Sequence, residues 1–146
     1  MNKLIFLLLA LAAPFLVAAD DKPPVRFAIY GLTHDHARGF IPLARGRTDA
    51  QLVGIVEPNA ELVAKYAKNY NLATNLFHPS LDALLKATNA QAVAIFTSTF
   101  EHRRVVEECA ARGLHVMMEK PLAVSMDHAR AIAKAAKKAN IQVVVS

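Results

Sequence analysis

The chain has 146 residues, 54% of them hydrophobic and 20% charged, which fits one globular domain and excludes a disordered polypeptide. Its net charge of +5 is modest. The basic residues (Arg45, Arg47, Arg103, Arg104, Lys134, Lys137, Lys138) are scattered and no aromatics interleave with them, so they read as solvated helix faces and no nucleic-acid partner is expected.

The first element reads as a leader. Lys3 precedes an apolar run from Leu4 to Ala19 that ends in the small residues Ala18-Ala19, a secretory signal pattern for residues 1–19. The run falls short of the roughly 20 residues that span a bilayer, so cleavage, a general secretory route and a periplasmic or extracellular location are expected, with no stable membrane anchor afterwards. No arginine pair precedes the run and no cysteine follows it, which argues against twin-arginine export and lipoprotein anchoring. Residues 20–24, Asp-Asp-Lys-Pro-Pro, form a polar linker whose prolines hand the chain to a strand.

From there the pattern predicts a strand over Val25–Tyr30, a helix over Ala37–Arg45, a strand over 51–56, and a helix capped by Asn59 and running to Tyr70. A short strand over 75–77, a helix capped by Ser80 to Lys86, and a strand over 91–96 with a continuous apolar centre follow. A helix then runs to Arg112, with Gly113 where a left-handed cap belongs. A strand over His115–Met118, a helix over 125–139 and a strand over 141–145 complete the series. Cys109 is the only cysteine, so no internal disulfide can form; beside Val105, Val106 and Ala110 it reads as a packed core thiol. Alternating strands and helices with short linkers predict an α/β fold, a doubly wound parallel sheet of Rossmann-like type spanning 25–146.

In such a sheet ligands bind beyond the carboxyl ends of the strands, and the chemistry-bearing residues gather there. The first turn is Gly31-Leu32-Thr33-His34-Asp35-His36. It keeps the first glycine of the Gly-x-Gly-x-x-Gly dinucleotide pattern, with Thr33 and His36 at the other two places. The following helix N-terminus offers amides to an anion, Thr33 adds a hydroxyl, and His36 is expected to loosen helix–strand packing. Asp35 adds a negative charge close to the phosphate position. Glu57, 26 residues after Gly31, ends the second strand. An acid there accepts bonds from ribose hydroxyls and repels a 2′-phosphate, favouring NAD over NADP. Thr97, Ser98, Thr99 and His102 follow the strand over 91–96; the hydroxyls read equally as cofactor contacts and as helix caps, and His102 as structural rather than catalytic. Glu119-Lys120-Pro121 closes the strand over His115–Met118. His34-x-His36 has a metal-like spacing and Asp35 could join the pair, but His78, His102, His115 and His128 fall on other elements and no third histidine or cysteine is placed by sequence. No metal is expected, and the pair reads as pocket lining.

Taken together, the glycine-led turn, the acid at Glu57, the loop Thr97 to His102 and above all Glu119-Lys120-Pro121 resemble the nucleotide-binding half of the Gfo/Idh/MocA family of nicotinamide-dependent sugar oxidoreductases, from Val25 to the last residue. The resemblance implies hydride transfer between nicotinamide and a carbohydrate or polyol, with Gly31, Thr33, His34, His36, Glu57, Thr97, Ser98, Thr99, His102, Glu119, Lys120 and Pro121 around the cofactor. It implies that Lys120 is catalytic, reaching the nicotinamide and substrate, where an ammonium steadies a developing alkoxide. The family's second α/β substrate domain lies beyond the sequence. Ser146 is therefore expected not to be the natural end, the chain alone is expected to bind cofactor without turnover, and the full-length form is the one expected to form a homo-oligomer. An exported, non-catalytic nucleotide- or sugar-binding module with a degenerate glycine pattern is the alternative. A DNA-binding regulator is disfavoured by the leader and the scattered charge.

Overall fold

The computed structural model describes residues 22–146. The expected leader and the first two residues of the linker lie outside the described residues. Six strands form one parallel sheet: β1 (Val25–Tyr30), β2 (Ala50–Val56), β3 (Phe77–His78), β4 (Ala92–Ile95), β5 (His115–Met118) and β6 (Val143–Val145). Their order is β3-β2-β1-β4-β5-β6. The crossover helices are α1 (Ala37–Arg45), α2 (Ala60–Tyr70), α3 (Leu81–Ala87), α4 (His102–Ala110) and α5 (Met126–Ala139). This is the Rossmann-like α/β order, with its switch point between β1 and β4. Among the described residues, no helix is long and apolar enough to cross a membrane.

Period-two alternation splits the core across the sheet. Ala28, Val56, Val93, Ile95, Val116 and Met118 meet Leu84, Val105, Cys109 and Ile132 on one face. Phe27, Ile29, Ile55, Ala94 and Phe96 meet Ala37, Ile41 and Tyr66 on the other. Cys109 is fully buried, and burial pushes its thiol up to about 12.

Local chemistry accounts for the helix ends. The Asn59 side chain accepts from the amides of Glu61 and Leu62, and the Ser125 hydroxyl from the amide of His128. After α4, Leu114 N–H donates to Cys109 O and Gly113 N–H to Ala110 O, with Gly113 at φ +69°. That is a Schellman cap, where glycine carries no Cβ penalty.

Three predicted elements differ. Residues 74–76 form a 3-10 turn, and the short strand comes later, at Phe77–His78, pairing with Ile55 and Val56. The last strand starts at Val143 rather than 141, because α5 ends on Asn140 in the left-handed region and Ile141 N–H closes back on Ala136 O. Residues 99–101 are also a 3-10 turn, which delays α4 to His102.

Candidate functional site

Register builds the site. Tyr30 pairs with both Val56 and Ile95, Ile95 with Met118, and Met118 with Val145. The strand ends are therefore level. Gly31, Glu57, Phe96-Thr97 and Glu119 emerge from one edge of the sheet.

Gly31 sits at φ +80°, and a Cβ there would meet Thr97 Cγ2 at 2.5 Å and Thr97 N at 3.2 Å. The turn needs glycine for both its conformation and its close approach to β4. Its amides are shared out. Gly31 N–H donates to Val56 O and His34 N–H to Phe96 O, both at 2.8 Å. Leu32 N–H donates to Glu57 Oε2 at 2.8 Å. The amides of Thr33 and Asp35 take no partner among the described residues.

Glu57 is 6% exposed and acts as a clasp, since Oε1 also accepts from Asn59 N–H at 2.9 Å. One carboxylate thus ties the Gly31 turn to the start of α2. Each oxygen keeps a second lone pair. With Gly31, Thr33, Thr97 and Arg104 it lines a cleft of about 180 Å³.

His36 departs from expectation. The sequence predicts that it loosens helix–strand packing. Instead its side chain is 58% exposed and reaches to Glu119, and the fully buried Ala37 makes the helix–sheet contact. Asp35 is paired with Arg38, so its charge is partly neutralised where a phosphate would lie.

In the next loop, Thr97 is buried and its hydroxyl donates to Ser98 O at 3.3 Å. Ser98 precedes the 3-10 turn and Glu101 precedes α4, yet neither makes a side-chain cap. The helix-cap reading of Ser98 and Thr99 therefore has no hydrogen bond behind it. His102 is 1% exposed, with Nδ1 3.3 Å from Leu122 O and Nε2 without a partner. It ties the head of α4 to the segment after Pro121.

Glu119 is buried at 6% exposure, and its Oε1 lies 2.9 Å from His36 Nδ1. Lys120 is exposed, and the Lys120–Pro121 peptide is cis. Its Nζ makes no ion pair among the described residues, leaving the ammonium available.

Sequence reasoning missed Tyr30 and Arg104. Tyr30 Oη donates to Glu108 Oε2 at 3.1 Å, and Arg104 lies 5.8 Å from the ring centre. Burial raises the Tyr30 phenol above its ordinary value. Hydrogen bonds to Tyr30 and Glu101 raise the Arg104 guanidinium further, so it stays charged. No spacing in the chain links β1 to α4; only the adjacency of β1 and β4 brings them together.

The comparisons with known proteins agree with this architecture. Residues 25–146 match the family model GFO_IDH_MocA, described as an oxidoreductase family with an NAD-binding Rossmann fold. The UDP-N-acetylglucosamine 3-dehydrogenase of Acidithiobacillus ferrooxidans is 37% identical over 83 residues, 57% of this chain and 25% of that protein. The 1,5-anhydro-D-fructose reductase of Ensifer adhaerens is 29% identical over 105 residues, 72% of this chain and 31% of that protein. The chain thus spans a quarter to a third of the length of these two relatives. Among solved structures, the WlbA dehydrogenase of Chromobacterium violaceum, in complex with NADH and UDP-GlcNAcA, superposes with a TM-score of 0.74 at 26% identity, covering 86% of this chain and 36% of that one. The biliverdin reductase of Synechocystis, in complex with biliverdin and NADP+, gives 0.72 at 26% identity, covering 84% and 38%. With the sheet order, the glycine-led turn and the family model all coinciding over residues 25–146, the chain belongs to the Gfo/Idh/MocA oxidoreductase family and forms its NAD-binding Rossmann fold.

Proposed function

We propose that this protein is the nucleotide-binding half of an oxidoreductase that moves hydride between a nicotinamide cofactor and a sugar or polyol. The observation that carries the reading is the Gly31 turn at the β1–β4 switch point, where the Thr33 and Asp35 amides remain open beside the Glu57 carboxylate. Open amides at a helix N-terminus suit a pyrophosphate. Spare lone pairs on Glu57 suit ribose hydroxyls, and its charge disfavours a 2′-phosphate, so NAD is preferred to NADP. The nicotinamide supplies the hydride donor or acceptor. Lys120 holds the reacting oxygen and steadies negative charge on it. Relatives named for sugar-nucleotide and anhydro-sugar substrates support a carbohydrate. The apolar leader supports export by the general secretory route to the periplasm or beyond.

The test is a fluorescence titration of the chain with NADH and NADPH. Saturable binding with NADH the tighter ligand supports the reading. Absence of binding to either sinks it. In the full-length protein, sugar binding with no spectral change in NADH would instead favour the non-catalytic module, which the loss of two fingerprint glycines makes the second reading.

A further inference from the structure

The fold supplies what the sequence left out of the His34-x-His36 pair: a third ligand. β1 and β5 both flank β4, roughly 10 Å apart at ordinary strand spacing. His36, at the head of α1, reaches across the end of β4 to Glu119, and one ligand atom from each of His34, His36 and Glu119 lies within 4.8 Å of the others. From these residues we infer a binding site for a divalent transition-metal ion, ligated by His34, His36 and Glu119.

Three observations carry this. The donor set is two imidazoles and one carboxylate, which suits zinc and ferrous ions and leaves coordination positions open. Bonds of about 2.0–2.2 Å set ligand atoms about 3–3.5 Å apart, so closing from 4.8 Å asks only for side-chain rotation, and His36 is exposed enough to turn. The Glu119 side chain is 8% exposed, and its only partner among the described residues is His36 Nδ1. A carboxylate that deeply buried wants a stronger counter-charge than an imidazole, and a dication provides one. His34 Nδ1 meanwhile accepts only a 3.3 Å bond from His36 N–H, a weak contact that ligation replaces at little cost.

Burial grades from Glu119 outward to His36, so the open positions face solvent. An oxygen of the small molecule placed there is polarised by the metal as a Lewis acid. This role, unlike the site itself, rests on the oxidoreductase reading.

The experiment uses the full chain without an affinity tag, stripped by chelator and titrated with Co2+ by visible spectroscopy and with Zn2+ by calorimetry. One ion per chain is expected. His36→Asn and Glu119→Gln should each weaken Zn2+ binding by more than about 100-fold, beyond the usual effect of groups that merely support a ligand. His78→Asn should leave it unchanged. X-ray absorption of the zinc-loaded native chain needs no substitution and should read two imidazoles with oxygen donors. A shell without imidazole, or affinity unchanged in both variants, overturns the site. NADH titration of the stripped chain is read separately, so loss of cofactor binding with metal binding intact refutes the oxidoreductase reading and leaves the site standing.

Discussion

Glu57→Gln is the sharpest test of how the cofactor turn is held. The substitution keeps size and shape, removes the charge, and replaces one accepting oxygen by an NH2 group. Glu57 now accepts two backbone amides, from Leu32 at 2.8 Å and Asn59 at 2.9 Å, at 6% exposure. Glutamine can accept one of them; the other N–H then faces a donor. Losing a hydrogen bond to a charged group costs about 1.5–3 kcal/mol, and a buried amide left unmet costs about 1–3 kcal/mol on the same scale. These overlap, because the turn can shift to expose one amide, so a net loss of about 2–3 kcal/mol is expected. Urea denaturation reads it as a lower midpoint at unchanged slope. Thermal unfolding should fall by roughly 10 °C for a domain of this size. NADH binding should weaken in the same variant, because the clasp is also the side chain proposed to accept the ribose hydroxyls. A stability loss under about 0.5 kcal/mol would show that Glu57 does not hold the turn.

Gly31→Ala should destabilise by about 2–4 kcal/mol, from the positive φ together with the 2.5 Å approach to Thr97 Cγ2, and a Gly31→Ala/Thr97→Ser double variant should recover part of that by removing the methyl. Non-additivity in urea melts reads the recovery; strict additivity would sink the steric account. Lys120→Met in the proposed oxidoreductase should leave melting unchanged while kcat falls by about 100-fold or more, and an unaltered kcat would remove Lys120 from the chemistry. Cys109 has its folded pKa raised from 9.0 to about 12, so its contribution is full below pH 9 and is lost as pH rises toward 12. That gap corresponds to about 4 kcal/mol of alkaline destabilisation, which should be absent from the pH profile of Cys109→Ala relative to its own neutral-pH value.

How much was legible depended on how local the cause was. Asn59, Ser80 and Ser125 announced helix starts because a side chain two or three residues away satisfies the first amides. β4 was legible as a continuous apolar run because both of its faces are covered. The strand near residue 77 was misplaced because a two-residue strand carries no period, and pairing with β2 alone decides it. The site was half legible. Gly31, Glu57 and Glu119 follow strands and could be read from position. The partnership of Glu57 with Leu32, of Glu119 with His36, and of Tyr30 with Arg104 spans 25, 83 and 74 residues and depends on strand order.

The two departures from the glycine pattern and the acid between them belong together physically. Glycine at the second place lets a phosphate approach bare backbone; Thr33 is exposed there and offers a hydroxyl instead. Glycine at the third place lets helix and strand close up; here Ala37, one residue on, is fully buried and makes that contact, which frees His36 to reach Glu119. Asp35 would repel a phosphate, but Arg38, one helical turn later, partly offsets its charge. The backbone path that needs glycine is thus kept at the single position where φ is positive and β4 is close, and the other two places become side-chain positions at the mouth of the site. A turn altered at random would leave a buried clash or an unpaired charge. This one leaves neither, and it sets two imidazoles beside a buried carboxylate next to Lys120. Its substitutions change what the turn can ligate while preserving how it folds.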